Sequence, residues 1–250
     1  MIPMVRAALA EGVRRAARGM GFEIVRAAPD RRVYTRNYPY TFTTYAPWFE
    51  AEFLARYDAV RGRTLVTEDR CYTLETLGRY AATLDGAFAE CGTYRGGTAY
   101  LVAAMLRDAG HGNRPFHLFD TFRGMPDTAV PERDWHKPGD LADTSPDEVA
   151  RFLGSFPNVQ LHPGTIPETF AAVRDGRFAF VHVDVDLYPS TYDCCAFFYD
   201  RLVPGGVLVC DDYGFADFRM AAKKAVDDFF ARRPEVPLAL HTGQCLIIKR

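Results

Sequence analysis

Residues 180–188 read FVHVDVDLY, and residues 205–214 read GGVLVCDDYG. Each stretch is a run of β-branched and other apolar residues that ends in carboxylates, the pattern of a buried strand followed by a turn or a helix. In an open parallel sheet, ligands bind beyond the carboxyl ends of the strands. Carboxylates at two neighbouring strand ends would converge there, and only a cation or a set of hydrogen-bond donors makes their repulsion tolerable. We therefore predict a functional site at this edge of the sheet.

The segments around these two stretches alternate between strand and helix patterns. The predicted strands are Ala87–Cys91, Phe116–Asp120 and Val159–His162, the predicted helices include Leu74–Leu84, Ala99–Asp108 and Phe218–Arg232, and Leu238–His241 with Gln244–Ile248 predict a terminal hairpin. This order is typical of an α/β protein with a doubly wound parallel sheet and an antiparallel end.

Residues 1–70 carry no motif and are expected to form a helical and irregular N-terminal extension. The stretch Tyr34–Tyr57 within it is rich in aromatic residues, which could stack on a substrate, form a dimer contact or cover a small core. We expect residues 1–70 to bind substrate or act as a lid, and residues 71–250 to form the main domain.

Composition excludes several classes of protein. The 250 residues are 48% hydrophobic and 25% charged, with a net charge of −2, which gives no electrostatic footprint for nucleic acid. No apolar run reaches the roughly 18 residues of a membrane helix. The cysteines are scattered without a C-x-x-C pair, as in a cytoplasmic protein with reduced thiols.

The turn after the first predicted strand, residues 90–98, reads ECGTYRGGT. Tyr94 stands where a dinucleotide-binding turn needs its second glycine, and a P-loop would need a lysine that is missing. A ligand with an amino-acid head group suits this turn better, since backbone N–H groups would meet its carboxylate and Glu90 its ammonium. Asp120, at the end of the second strand, stands where an acidic residue holds a ribose. S-adenosylmethionine has an amino-acid head group and a ribose but no phosphate. Its adenine would lie near Gly164.

Four motifs together resemble the macrocin O-methyltransferase family. They are E-x-G-x-Y-x-G-G from Glu90, D-T-F-x-G-M-P from Asp120, D-x-D-L-Y from Asp184 and D-D-Y-G from Asp211. The resemblance implies a seven-stranded Rossmann-like methyltransferase sheet and transfer of a methyl group to a sugar hydroxyl of a natural product. It also implies a metal held by Asp184, Asp211 and Asp212, with Tyr94 at the methionine part of the cofactor and Asp120 at its ribose. The lysine base of the distantly similar catechol methyltransferases is absent after Asp184.

The proposed chemistry follows from the ligand types. Three carboxylates without soft ligands favour Mg²⁺, which lowers the pKa of a coordinated hydroxyl. Asp184 could also accept the proton, and His136, in a long loop at residues 123–145 that we expect to close over the site, is a second candidate base. The predicted cofactor contacts are Glu90, Gly92, Thr93, Tyr94, Gly96, Asp120, Thr121 and Gly164.

Two other classes of enzyme stay open at this point. A metal-dependent hydrolase could use the same aspartates, and a nicotinamide-dependent oxidoreductase could use a similar sheet. The expected partners are a small-molecule acceptor and a second copy of the chain, without nucleic acid or membrane.

Overall fold

The computed structural model describes residues 12–13, 15–17, 19–21, 33–37, 41–127 and 134–250. The chain divides into two compact units, residues 1–51 and residues 52–250. This division falls earlier than the boundary expected at residue 70, so residues 52–70 belong with the larger unit.

The smaller unit contains a β-hairpin. Strands β1 (Val33–Asn37) and β2 (Thr41–Tyr45) pair antiparallel, and a short 3₁₀ helix follows at Pro47–Phe49. The expectation of a helical or irregular segment does not hold for these two strands. Both are rich in threonine, valine and aromatic residues, which favour strands. Residues 12–13, 15–17 and 19 are helical, and the rest of the expected helical extension before residue 33 lies outside the described residues.

The larger unit alternates helices and strands. Its helices are α1 (Ala51–Asp58), α2 (Glu68–Ala81), α3 (Gly97–Asp108), α4 (Pro146–Phe152), α5 (Tyr188–Tyr199) and α6 (Ala222–Phe230). Its strands are β3 (Ala87–Cys91), β4 (Phe116–Asp120), β5 (Val159–Pro163), β6 (Phe178–Val183), β7 (Leu202–Cys210), β8 (Leu238–Ala239) and β9 (Cys245–Ile248). Short 3₁₀ helices lie at Glu168–Val173 and Ala216–Phe218.

The seven strands form one sheet in the order β5-β4-β3-β6-β7-β9-β8. Strands β3 to β7 are parallel to their neighbours, β9 is antiparallel to β7, and β8 is antiparallel to β9. The predicted doubly wound sheet with an antiparallel end is therefore confirmed.

Helices cover both faces of this sheet, as a parallel sheet requires. One core contains Phe198 of α5 and Phe229 of α6, and the other contains Leu74 of α2 and Leu106 of α3. All six residues of the central strand β6 are buried, and five of them are apolar, as expected for a strand covered on both faces; His182 is the polar exception. All six cysteines are buried and free.

The direction of winding reverses between β3 and β6. The chain runs outward from β3 to β4 and β5, returns to β6 beside β3, and then continues to β7 on the other side. The loops after β3 and β6 therefore diverge, and a crevice opens between them at the carboxyl edge of the sheet. Within the described part of the chain, no helix has both the length and the apolar character needed to cross a membrane.

Candidate active site

Gly92 brings the ends of β3 and β6 into direct contact. Its φ angle is +87°, and a Cβ atom at this position would lie 1.7 Å from the carbonyl oxygen of Asp184. The backbone N–H of Asp184 in turn donates to the carbonyl of Cys91 at 2.8 Å. Only glycine allows both the left-handed backbone and this approach. The glycine turn after β3 and the acidic segment after β6 therefore form one rigid junction.

Asp120 shapes the glycine turn from the neighbouring strand β4. Its Oδ2 accepts the backbone N–H groups of Thr93 and Tyr94, each at 2.8 Å, and its Oδ1 accepts that of Phe122 at 2.7 Å. These bonds hold Tyr94 at a φ of +50° and Phe122 at +52°, a region that non-glycine residues rarely occupy. A carboxylate has about four acceptor positions, so Asp120 keeps acceptor capacity toward the crevice that it lines.

Three aspartates converge beside this turn. Asp184, Asp186 and Asp212 each offer one carboxylate oxygen, and these oxygens lie within 4.8 Å of one another. Burial, and then the repulsion of neighbouring carboxylates, raises the pKa of Asp184 and of Asp212 well above the ordinary value and that of Asp186 to about 7. An arrangement of oxygen ligands that repel one another fits a hard divalent cation.

Asp211, predicted as a metal ligand, is engaged by protein donors, and it also forms a second group with His182 and Asp184 in which one possible ligand atom of each residue lies within 4.8 Å of the others. Its Oδ2 pairs with the guanidinium of Arg70, and its Oδ1 accepts from Gln244 Nε2 at 2.8 Å and lies 3.4 Å from His182 Nε2. Burial alone would raise the pKa of Asp211, but the hydrogen bond with His182 and the charge of Arg70 lower it. Asp211 is therefore a fixed carboxylate at the side of the cluster, and its role as a ligand stays a prediction.

His182 links Asp211 to Glu90. Its Nδ1 lies 3.1 Å from Glu90 Oε2, and all three side chains are fully buried. Burial alone would lower the pKa of His182, but its hydrogen bonds with Asp211 and Glu90 raise it well above the ordinary value. Glu90 does not line the crevice, and its Oε1 has no hydrogen-bond partner in the described part of the chain. Its predicted contact with an ammonium group is not tested by this arrangement.

The crevice has a volume of about 270 Å³ and brings most of the predicted site residues together. The predicted residues that line it are Gly92, Thr93, Tyr94, Asp120, Thr121, His136, Gly164, Asp184 and Asp212. Glu90, Gly96 and Asp211 do not line it; Gly96 caps the start of α3. Sequence reasoning missed Arg70 and the apolar wall residues Leu65, Val66, Leu141 and Phe218, which no motif marks. Met125 lies in the D-T-F-x-G-M-P motif, Ile166 follows Gly164 by two residues, and Asp186 lies in the D-x-D-L-Y motif, but none of the three was predicted as a site residue.

His136 reaches the crevice from the loop between β4 and α4. Its Nδ1 lies 3.3 Å from Asp140 Oδ2, its Nε2 lies 3.9 Å from Asp186 Oδ1, and its ring packs near Phe218 with ring centres 5.8 Å apart. The far end of this loop is attached to the glycine turn, since Tyr94 Oη donates to Asp143 Oδ1 at 2.9 Å. Residues 128–133 of the predicted lid lie outside the described residues, and its closure stays a prediction.

The strand order, with antiparallel β9 between β7 and β8, is that of the Rossmann-like methyltransferase sheet. A family model described as Macrocin-O-methyltransferase (TylF) matches residues 59–238, and the chain belongs to this family.

One curated relative is the 8-demethyl-8-(2,3-dimethoxy-alpha-L-rhamnosyl)-tetracenomycin-C 4'-O-methyltransferase of Streptomyces olivaceus. It is 29% identical over 171 residues, which is 64% of this chain and 63% of the relative. The chain spans between 55% and 63% of the length of the curated relatives it matches.

Two solved structures show the same fold. The O-methyltransferase NovP superposes with a TM-score of 0.65 at 22% identity, over 75% of this chain and 82% of that chain. The O-methyltransferase TomG of Streptomyces achromogenes, involved in tomaymycin synthesis and solved with S-adenosylmethionine, has a TM-score of 0.51 at 16% identity, over 80% of this chain and 91% of that chain.

Proposed function

We propose that the protein transfers the methyl group of S-adenosylmethionine to a hydroxyl group, on a sugar of a glycosylated natural product, with the help of Mg²⁺. The observation that carries this proposal is the meeting of Asp184, Asp186 and Asp212 beside the glycine turn in one crevice. Membership of the macrocin O-methyltransferase family supports it, and so does the rhamnosyl methyltransferase named above. Hydrolase and oxidoreductase activities are not favoured by these likenesses.

The residues that would hold the cofactor lie at the crevice between β3 and β6, where the direction of winding reverses. S-adenosylmethionine supplies an electrophilic methyl group on a sulfonium. Gly92 and Thr93 of the left-handed turn line the crevice, Asp120 keeps an acceptor for ribose hydroxyls, and Gly164 and Ile166 would flank the adenine. The apolar side chains of Met125, Ile166 and Phe218 line the crevice and would limit the access of water to a bound cofactor, which strengthens polar interactions there.

The residues that would hold the cation are Asp184, Asp186 and Asp212, whose oxygens repel one another without it. A divalent cation lowers the pKa of a bound hydroxyl and orients it. Asp211 could join them only through an acceptor position that Arg70, Gln244 and His182 leave open. His136, with Nε2 on the crevice side toward Asp186, would take up the hydroxyl proton, and Asp184 is the second candidate for this role. The expected homodimer and the expected cytoplasmic location stay predictions.

The test is a methyl-transfer assay that follows S-adenosylhomocysteine formation with glycosylated acceptors and their aglycones. We expect product only with a glycosylated acceptor, loss of transfer in EDTA and recovery on addition of Mg²⁺. Calorimetry should show that EDTA leaves cofactor affinity largely unchanged, because the cofactor contacts and the carboxylate cluster are different residues. Full activity in EDTA would reject the role of the cation, and transfer to aglycones alone would reject the sugar hydroxyl as acceptor.

A further inference from the structure

Arg70 is the cationic side chain that faces the acidic cluster from helix α2. Its side chain is only 11% exposed and lines the crevice. Nη1 pairs with Asp211 Oδ2, Nη2 donates to the carbonyl of Leu65 at 3.1 Å, and Nε donates to Thr67 Oγ1 at 3.2 Å. The guanidinium also lies over the ring of Phe215, 5.1 Å from its centre. Arg70 is thus held in one position rather than free to leave the cluster.

The charge of Arg70 acts on more than its direct partner. Burial alone would lower its pKa, but Asp211, Asp184 and Asp212 together raise it, so the guanidinium interacts with carboxylates that it does not touch. The three aspartates of the cluster and the neighbouring Asp211 make four carboxylates, and Arg70 brings one positive charge beside them. A cation entering the cluster is attracted by the carboxylates and repelled by Arg70, and both effects are strong in a buried site.

We propose that Arg70 is a resident counter-cation of the acidic cluster: a positioning residue that fixes Asp211 and lowers the affinity of the site for divalent cations. The inference rests on the proposed function, since it concerns the same cation site. If Arg70 had only a structural role, its replacement would lower the affinity for divalent cations rather than raise it, because loss of the guanidinium would displace Asp211. The sign of the change in affinity therefore decides between the two roles.

The test measures Mn²⁺ binding by calorimetry in the presence of S-adenosylhomocysteine. Arg70→Met removes the charge and should tighten Mn²⁺ binding by about tenfold or more. Arg70→Lys keeps the charge and should stay within about threefold of the wild type. Arg79→Met is the matched control, because Arg79 lies on the same helix but pairs with Glu75 and does not line the crevice. Unchanged or weaker binding by Arg70→Met would overturn the proposal.

A second variant keeps the proposal testable if Arg70→Met does not fold. Arg70→Gln also removes the charge but keeps a side-chain N–H that can donate to Asp211, so it should tighten Mn²⁺ binding in the same direction as Arg70→Met. A tenfold loss of Mn²⁺ affinity in the folded Arg70→Gln protein would overturn the proposal. Mn²⁺ binding without methyl transfer would refute the proposed function alone. No Mn²⁺ binding by either wild type or Arg70→Met would refute both the cation role and the inference.

Discussion

Oδ2 of Asp120 accepts the backbone N–H of Tyr94 at 2.8 Å, which connects the proposed ribose site to the glycine turn. The same oxygen accepts the backbone N–H of Thr93. The carboxylate of Asp120 therefore fixes the shape of the turn and would also accept hydrogen bonds from the cofactor.

Asp120→Ala should lower both cofactor affinity and stability. A hydrogen bond to a charged group contributes about 1.5–3 kcal/mol, so affinity for S-adenosylhomocysteine should fall roughly ten- to a hundredfold. Calorimetry and thermal unfolding measure the two effects separately. Asp120→Asn keeps one acceptor oxygen and should lie between the wild type and the alanine variant. Wild-type affinity in a folded Asp120→Ala protein would exclude Asp120 from the cofactor site.

Gly92→Ala should be among the most destabilising single changes in the chain. The new Cβ would overlap the carbonyl of Asp184, and a buried backbone clash of this kind costs upwards of about 4 kcal/mol. The control is Gly139→Ala, which has a similar φ of +86° but no atom within 4 Å of the added Cβ. It should cost only about 1–2 kcal/mol. Chemical denaturation of both variants checks the difference, and equal losses would show that backbone conformation alone matters.

His136→Gln should lower kcat about a hundredfold or more while leaving cofactor affinity unchanged, because the side chain faces Asp186 rather than the glycine turn. Asp140→Asn keeps the histidine but weakens the hydrogen bond that orients it, and should lower kcat by a smaller factor. Initial rates at saturating acceptor and cofactor measure both. Normal turnover by His136→Gln would assign the proton acceptor elsewhere, with Asp184 as the remaining candidate.

His117 should make the protein less stable in acid. Burial, and then the charge of neighbouring His162, lowers the pKa of His117 to about 4, against about 6.5 in an unfolded chain. The unfolded state therefore binds more protons between these values, so stability is complete above pH 6.5 and falls as the pH approaches 4. Because the ring is only partly buried, we expect the loss to be about 1–2 kcal/mol. His117→Phe should flatten this pH dependence of the unfolding temperature, and the control His111→Phe should not.

Much of the sheet could be predicted from the sequence because its inner parallel strands β3, β4 and β6 are largely buried on both faces. Ala87–Cys91 and Phe116–Asp120 have the predicted bounds, since turn residues interrupt the apolar runs at both ends. Helix α2 begins at Glu68, six residues before the predicted start at Leu74, because its first turn is polar and apolar periodicity cannot detect it. The hairpin at Val33–Tyr45 was not predicted because its strands lack a clear alternation of apolar and polar residues, although Asn37 and Pro39 favour a turn between them.

The residues of the candidate site could be predicted where a motif directly follows a strand. They could not be predicted where a contact between distant parts of the chain sets the position of a side chain. Asp184, Asp212 and the turn at Gly92 all follow strands, so topology alone brings them together. The pairing of Arg70 with Asp211 joins residues 141 positions apart, and the direction of the Asp211 carboxylate depends on it. No spacing rule contains that information, so the sequence alone predicts neither the pairing of Asp211 with Arg70 nor the position of Asp186 beside Asp184 and Asp212.

The contact between Gly92 and the carbonyl of Asp184 has a consequence for laboratory evolution of acceptor scope. The junction joins the cofactor side of the crevice to its acidic side through backbone atoms, so side-chain substitutions cannot move one relative to the other. The walls at residues 64–66, 124–126 and 136–141 come from loops instead. Libraries restricted to Leu65, Met125 and Leu141 in these loops should therefore retain folded proteins at high frequency while changing the shape offered to the acceptor, and libraries that include Gly92 should consist mostly of unfolded chains.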